Sequence, residues 1–441
     1  MESALRNALV VLTLASTFLF GGIVYGWAAV QLLLVREGQY GELCTGSMHP
    51  PCMTQMARLN VIFSCTTFAM SVTALTNGLF LDLAGPAITV LVGGTMECVG
   101  LALFAFSDSV SFNMFELAYA MIGVGGFLSV MAGYKVNFLV PERASAVIIV
   151  SSCLFDASAV IFQLLFLAHK FFGASREMIF TGFAILGALV YISMVVLWVI
   201  VGCPRKADLS ETEPLLKERN SVLSDRSTFL NDRPLARQIM SIEFALLLIH
   251  STLGSFRANV YLGTQNQLLI NYGDSSHEFF YTQLLGIVLP LGVLSAPLVV
   301  RSVSLNGLPF TMRVTNILGI GYNLCTFVPS LWVQTGASIL FAVYRAFFFS
   351  VNTAFAASEF GSRTFGTILG LSFSLGSATQ LLQTPMITYV NRYHDGNVTL
   401  INLGTLVLAL FLGVVIEVYA WRKRRVTLET PSESIVQYGK I

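Results

Sequence analysis

The sequence predicts an all-α membrane protein of twelve transmembrane helices, arranged as two six-helix halves with pseudo-symmetry. Three observations predict it. The 441-residue chain is 55% hydrophobic and 11% charged, with a mean hydropathy of +0.74, whereas a soluble domain carries about 25% charged residues. Its apolar residues gather into twelve stretches of the length that crossing a bilayer requires, because only a complete helix satisfies its own backbone in lipid. One long charged loop, Cys203–Gln238, divides these stretches into two equal sets.

In order, the expected spans are 8–34, 58–81, 86–107, 112–136, 144–169 and 177–201 in the first half, then 240–268, 278–300, 311–332, 336–359, 364–390 and 398–421 in the second. The first run, Ala8–Leu34, is far longer than the core of a secretory signal, about 7–15 residues, so it reads as a span. The polar loop after it, Glu37–Met56, holds Cys44 and Cys52. Two cysteines in one loop suggest a disulfide on the non-cytosolic side, the alternative being two free thiols. In the fourth span Gly123, Gly125 and Gly126 lie inside an apolar run, which makes them helix-packing glycines and not a phosphate loop. Gly22-x-x-x-Gly26 and Gly366-x-x-x-Gly370 have the spacing of close helix contacts, though glycine is common throughout this chain. The domain boundaries that follow are 1–202, a loop at 203–239, a second half at 240–421 and a tail at 422–441.

Lys and Arg orient the bundle. One side collects Arg143, Arg205, Lys206, Lys217, Arg219, Arg226, Arg233, Arg237, Arg301, Arg313, Arg363 and the run Arg422–Arg425, while the other keeps Arg36, Arg58, Lys170, Arg176 and Arg392. The positive-inside rule therefore puts both termini in the cytosol and Cys44 and Cys52 outside.

Three ionisable residues sit near the middle of spans: Asp156 in the fifth, Arg257 in the seventh and Arg345 in the tenth. Each costs about 2.5–3.5 kcal/mol at a helix centre on insertion scales, so all three should face the bundle interior. Tyr261 and Thr264/Gln265 follow Arg257 at helical spacing, which places them on one face. A guanidinium suits a carboxylate, so Arg257 is a candidate substrate contact. The competing reading is an arginine satisfied by helix-end carbonyls or by Asp156. Arg345 and Asn352/Thr353 share a face of the tenth span. Ser374, Ser377, Gln380 and Gln383 in the eleventh read as interhelical glue.

The segment Gly78-Leu79-Phe80-Leu81-Asp82-Leu83-Ala84-Gly85-Pro86 resembles the loop signature of the major facilitator superfamily, in which the aspartate is a gating residue. The family's basic residues after that aspartate are missing here, which puts the role of Asp82 in question. Within the superfamily the chain resembles solute carrier family 43, which contains facilitative large-neutral-amino-acid transporters and an equilibrative nucleobase transporter. The resemblance lies in Tyr25-Gly26-Trp27, Arg36-Glu37-Gly38-Gln39-Tyr40 with Cys44, Phe155-Asp156-Ala157-Ser158-Ala159-Val160 and Phe256-Arg257 running to Tyr261 and Asn266. It continues in Arg345-Ala346-Phe347-Phe348, Phe365-Gly366-Thr367-Ile368-Leu369-Gly370-Leu371 and Leu381-Leu382-Gln383-Thr384-Pro385. Arg257 is similar to the amino-acid branch and Asp156 to the nucleobase branch.

The resemblance implies alternating access by two six-helix halves, and so does the even division of the spans. The expected activity is facilitated transport of an amino acid, with Arg257 on the carboxylate, Asp156 on the ammonium and Tyr25, Tyr261, Asn352 and Arg345 around the pocket. An equilibrative purine-nucleobase carrier, or a nutrient receptor that binds without transporting, is the alternative. No Walker A, HExxH, CxxC pair or GxSxG motif is present, so no metal, cofactor or enzymatic activity is expected, and the net charge of +1 does not suit nucleic acid. Membrane lipid and a small solute are the expected partners. The plasma membrane is the favoured address. Glu211, Leu215 and Leu216 resemble an acidic dileucine signal for a sorting adaptor, which would favour an endosomal, lysosomal or vacuolar membrane.

Overall fold

The computed structural model describes residues 2–44, 52–202, 230, 233–277, 280–382, 385–386, 389–390, 393 and 397–429. The central loop with Glu211, Leu215 and Leu216 lies outside them, as do Gln383 and most of the C-terminal tail. Among the described residues nine helices are long and apolar enough to span a membrane. Two of these, Phe280–Cys325 and Leu331–Ala378, are each a pair of spans joined end to end through a glycine with positive φ, Gly307 at 78° and Gly361 at 69°. Those two breaks raise the count from nine to eleven. Ile242–Asn271 is the twelfth, a less apolar helix that carries His250, Arg257 and Gln265 among its polar residues.

The first half consists of Ser3–Arg36, Thr54–Ala84, Pro86–Phe106, Phe115–Leu139, Pro141–Phe172 and Arg176–Val201. The second consists of Ile242–Asn271, 280–306, 308–325, 331–360, 362–378 and Thr399–Glu429. With an even number of spans, Glu2 and Glu429 lie at the same end of the bundle, here called the terminal end.

Glycines decide where helices touch. The first span loses regular α geometry at Thr17–Gly21 (a π turn) and Ile23–Gly26 (a 3₁₀ turn). There the Gly22 N–H is released to Ser158 Oγ at 2.8 Å. A methyl on Gly22 or Gly26 would strike the carbonyl of Phe155 or Ala159 on the fifth span, so this glycine pair is a close helix contact. Gly125 packs on Gly93 and Glu97 of the third span. Gly78 and Gly366 face each other across the two halves, with backbone so near that neither admits a Cβ.

Candidate functional site

Where the halves meet, mid-helix, Asp156 of the fifth span and Arg345 of the tenth form a bidentate ion pair: Nη2 to Oδ1 at 2.7 Å and Nε to Oδ2 at 3.2 Å. Their side chains are 7% and 9% exposed. Two planar groups in a fork geometry make the strongest form of this contact. Tyr25 stands within electrostatic reach of both, its ring 5.8 Å from Phe155. Tyr25 lies within the 3₁₀ turn of the first span, Ile23–Gly26. Arg345 also overlies Phe349 at 5.4 Å. Phe349 leads to Phe373 at 6.4 Å, Phe373 to Phe127 at 5.8 Å and Phe127 to Phe155 at 6.3 Å. A charged pair thus sits in an aromatic setting contributed by the first, fourth, fifth, tenth and eleventh spans. Although packed on Phe155, Tyr25 is 38% exposed, and Ala28 and Leu32 continue the exposed stripe along the same helix face. That stripe leaves the setting of the pair accessible on the side away from the terminal end.

Toward the terminal end it is shut. Ser374 Oγ accepts from Leu75 N–H at 3.0 Å and donates to the Ser71 carbonyl at 3.0 Å. About two turns on, the Asp82 carboxylate accepts from Gly366 N–H at 3.1 Å, Thr367 N–H at 2.6 Å and Thr367 Oγ1 at 2.8 Å. These amides lie five and six residues after the Gly361 break, in the second turn of the eleventh span. Lys135 pairs with Asp82 at 2.8 Å and also donates to the Ser362 carbonyl. The cation absent from the residues after Asp82 is therefore supplied by the end of the fourth span. Phe365 packs on Tyr134 and Phe138 beside it.

The remaining expected pocket residues are elsewhere. Arg257 does not meet Asp156, whose carboxylate is already held by Arg345. It turns into the second half, where Nη1 donates to Asn316 Oδ1 at 3.0 Å, and Asn316 in turn donates to the Ala409 carbonyl at 2.9 Å. Tyr261 is buried against Tyr322 and Phe341, and Asn352 bonds His250 at 2.8 Å. The correction has a physical reason: helical spacing shows which residues share a face, not which neighbour that face meets. Of the expected set, the structure brings together Asp156, Arg345 and Tyr25.

The loop after the first span closes a disulfide between Cys44 and Cys52, with Cα atoms 5.9 Å apart. A network around it ties the loop to the third-to-fourth-span turn. Gln55 donates to the Gln39 carbonyl at 2.8 Å and Ser109 N–H to Gln39 Oε1 at 2.8 Å. Asp108 accepts from the Ser111 and Val110 amides, and those bonds to Ser111 and Val110 hold its carboxyl down at about 2.

No family model matches the chain. It is 22% identical to the equilibrative nucleobase transporter 1 of Bos taurus, over 92% of this chain and 94% of that one. To the large neutral amino acids transporter small subunit 3 of Homo sapiens it is 21% identical, over 92% and 91%. The solved structure of the major facilitator proton:xylose symporter superimposes with a TM-score of 0.64 at 12% identity, covering 96% of each chain. The chain is a multi-pass membrane transporter with the major facilitator fold. Among such transporters it is similar to those of solute carrier family 43.

Proposed function

We propose that this transporter carries a neutral amino acid by alternating access, with the Asp156–Arg345 pair as its recognition site. The single observation that supports this reading is the pair itself. It presents one charge of each sign at the meeting of the two halves. A zwitterion matches it: the substrate carboxylate replaces Asp156 on the Arg345 fork, and the ammonium replaces Arg345 on Asp156. The exchange conserves the number of buried charge-assisted hydrogen bonds, so neither ion is left uncompensated. Phe155, Phe349 and Tyr25 would take an apolar side chain, which favours large neutral amino acids.

Because Asp156 belongs to one half and Arg345 to the other, substrate insertion would loosen a bond between the halves, the step that rocking requires. The Asp82–Lys135 latch would hold the terminal end shut while the other end is open. With both termini in the cytosol, as the Lys and Arg distribution supports, the arrangement is outward-facing. Facilitated exchange needs nothing more than this.

A second reading is favoured by one feature, the aromatic faces. A purine could lie on Phe155 or Phe349 and exchange in-plane hydrogen bonds with the Asp156 carboxylate and Arg345. A neutral purine, however, needs no buried ion pair, since amides would serve at lower desolvation cost.

The test is counterflow in liposomes containing purified protein, with a radiolabelled panel of amino acids and nucleobases. Saturable counterflow of a large neutral amino acid is the expected result. Adenine counterflow that excess amino acid does not inhibit would overturn the assignment. Binding without flux of any tested solute would make the protein a receptor.

A further inference from the structure

Arg257 is 1% exposed, yet its Nε and Nη2 have no hydrogen-bond partner among the described residues, and its one bond is to the neutral Asn316. Among the described acids of the second half, Glu417 pairs with Arg313, Glu359 with Lys423, and Asp274 accepts from the Tyr281 and Thr282 amides, while Glu243 sits in the first turn of the seventh span, about four helical turns from Arg257. Asp156 is held by Arg345. The guanidinium lies over the rings of Tyr322 at 6.0 Å and Tyr344 at 5.7 Å. Gly319 opens the room it occupies, since a Cβ there would come within 2.6 Å of Nη2. The Tyr322 hydroxyl is likewise buried without a partner.

A guanidinium cannot shed its proton to escape the cost of burial. Ring faces soften that cost without cancelling the charge. Two unsatisfied N–H donors, an orphan hydroxyl and an uncompensated cation define the chemistry that completes them: a small monovalent anion accepting hydrogen bonds.

We propose that Arg257 is the centre of an anion site inside the second half, separate from the Asp156–Arg345 chamber, and that its ligand is a halide-sized inorganic anion. The anion neutralises Arg257 and joins the seventh span to the ninth through Tyr322 and Asn316. It stabilises the half in which it sits and need not move with the substrate. A carboxylate offers the same chemistry, so the alternative source is the substrate's own carboxylate.

The experiment compares the purified transporter in chloride, bromide and gluconate buffers of equal ionic strength. In wild type, chloride and bromide should raise the Tm saturably by at least about 3 °C over gluconate, as for a ligand that binds only the folded state. Equilibrium binding of radiolabelled chloride should reach one per chain. Tyr322→Phe should shift the halide titration to higher concentration, and Arg257→Gln should abolish it. If Arg257→Gln does not fold, wild-type chloride stoichiometry and the Tyr322→Phe titration decide the matter. Equal Tm values in the three buffers with no bound chloride would overturn the proposal. So would a halide response that survives in Arg257→Gln, or competition between halide and amino acid for one site. That last result would make Arg257 a substrate contact. Failure of the amino-acid assignment in liposome counterflow leaves the halide response untouched.

Discussion

Two buried arginines, 88 residues apart in a chain rich in apolar helix, have opposite fates. Arg345, at the meeting of the halves, is matched by an acid from the other half in a bidentate pair. Arg257, inside the second half, has one neutral partner and aromatic walls. The interface between halves must open and close, and a charge pair suits it because another pair can replace it at little net cost. In the cycle proposed above the interior of a half stays packed, so a charge there would serve stability or a resident ligand. Location relative to the moving boundary separates the two roles, and residue type does not.

The largest effects are expected at the pair. Arg345→Ala or Asp156→Ala alone leaves an uncompensated ion in a buried site and should destabilise the fold by about 3–5 kcal/mol, read as lost expression and lower Tm. Arg345→Ala combined with Asp156→Ala should recover expression but not transport. A double variant as poorly folded as the single ones would mean that the two charges act separately. Asp156→Ala combined instead with Arg257→Ala should give no such recovery.

The contact between Gly78 and Gly366 gives the next effect. Gly366→Ala places a methyl 2.5 Å from the Gly78 carbonyl and 2.9 Å from Asp82 Oδ1, so overpacking should cost the closed terminal end about 1–3 kcal/mol. A cysteine replacing Ser374, in a background lacking Cys65, should then label faster with an aqueous thiol reagent. Unchanged labelling would show that the zipper does not hold that end shut.

Much of the architecture was legible in the sequence because membrane-spanning imposes a length and a polarity that no packing detail can override. The helical spans follow from that constraint, and the glycine spacing marked the close contacts that Gly22 and Gly366 make. The site was legible only in part. Asp156 and Arg345 stand out as charges in apolar runs, but which arginine meets the acid depends on the rotation of the fifth, seventh and tenth spans, information absent from spacing. Lys135 was missed as the partner of Asp82. It carries a signal, a lysine at the very end of an apolar run, but nothing in the run points to an acid at the end of a different span. Phe127, Phe349 and Phe373 were invisible for another reason, since 34 phenylalanines cannot be told apart without a fold.

At the loop after the first span the effects are smaller, and they separate a fixed region from the moving one. Replacing Cys44 or Cys52 by Ser should free one titratable thiol and lower stability by roughly 2–3 kcal/mol, the worth of closing a short loop. The Asp82 latch and the counterflow affinity should be unaffected. Asp108 gives the smallest effect. Its carboxyl titrates at about 2, below the usual value near 3.9, so its contribution is present above about pH 4 and lost as pH falls through about 2. Asp108→Asn should therefore leave Tm nearly unchanged near pH 2, where the native carboxyl is itself protonated, and lower it slightly at pH 7. An equal change at both values would remove the ionised carboxylate from the account.

The most direct test of the central claim, that Arg345 and not Arg257 reads the substrate, is a binding comparison of an amino acid with its decarboxylated amine. Wild type should prefer the amino acid. Arg345→Lys keeps the charge but loses the bidentate fork, and should weaken amino-acid binding by about tenfold or more with little change for the amine. Arg257→Lys should leave the preference intact. A preference that survives Arg345→Lys and disappears in Arg257→Lys would contradict the account.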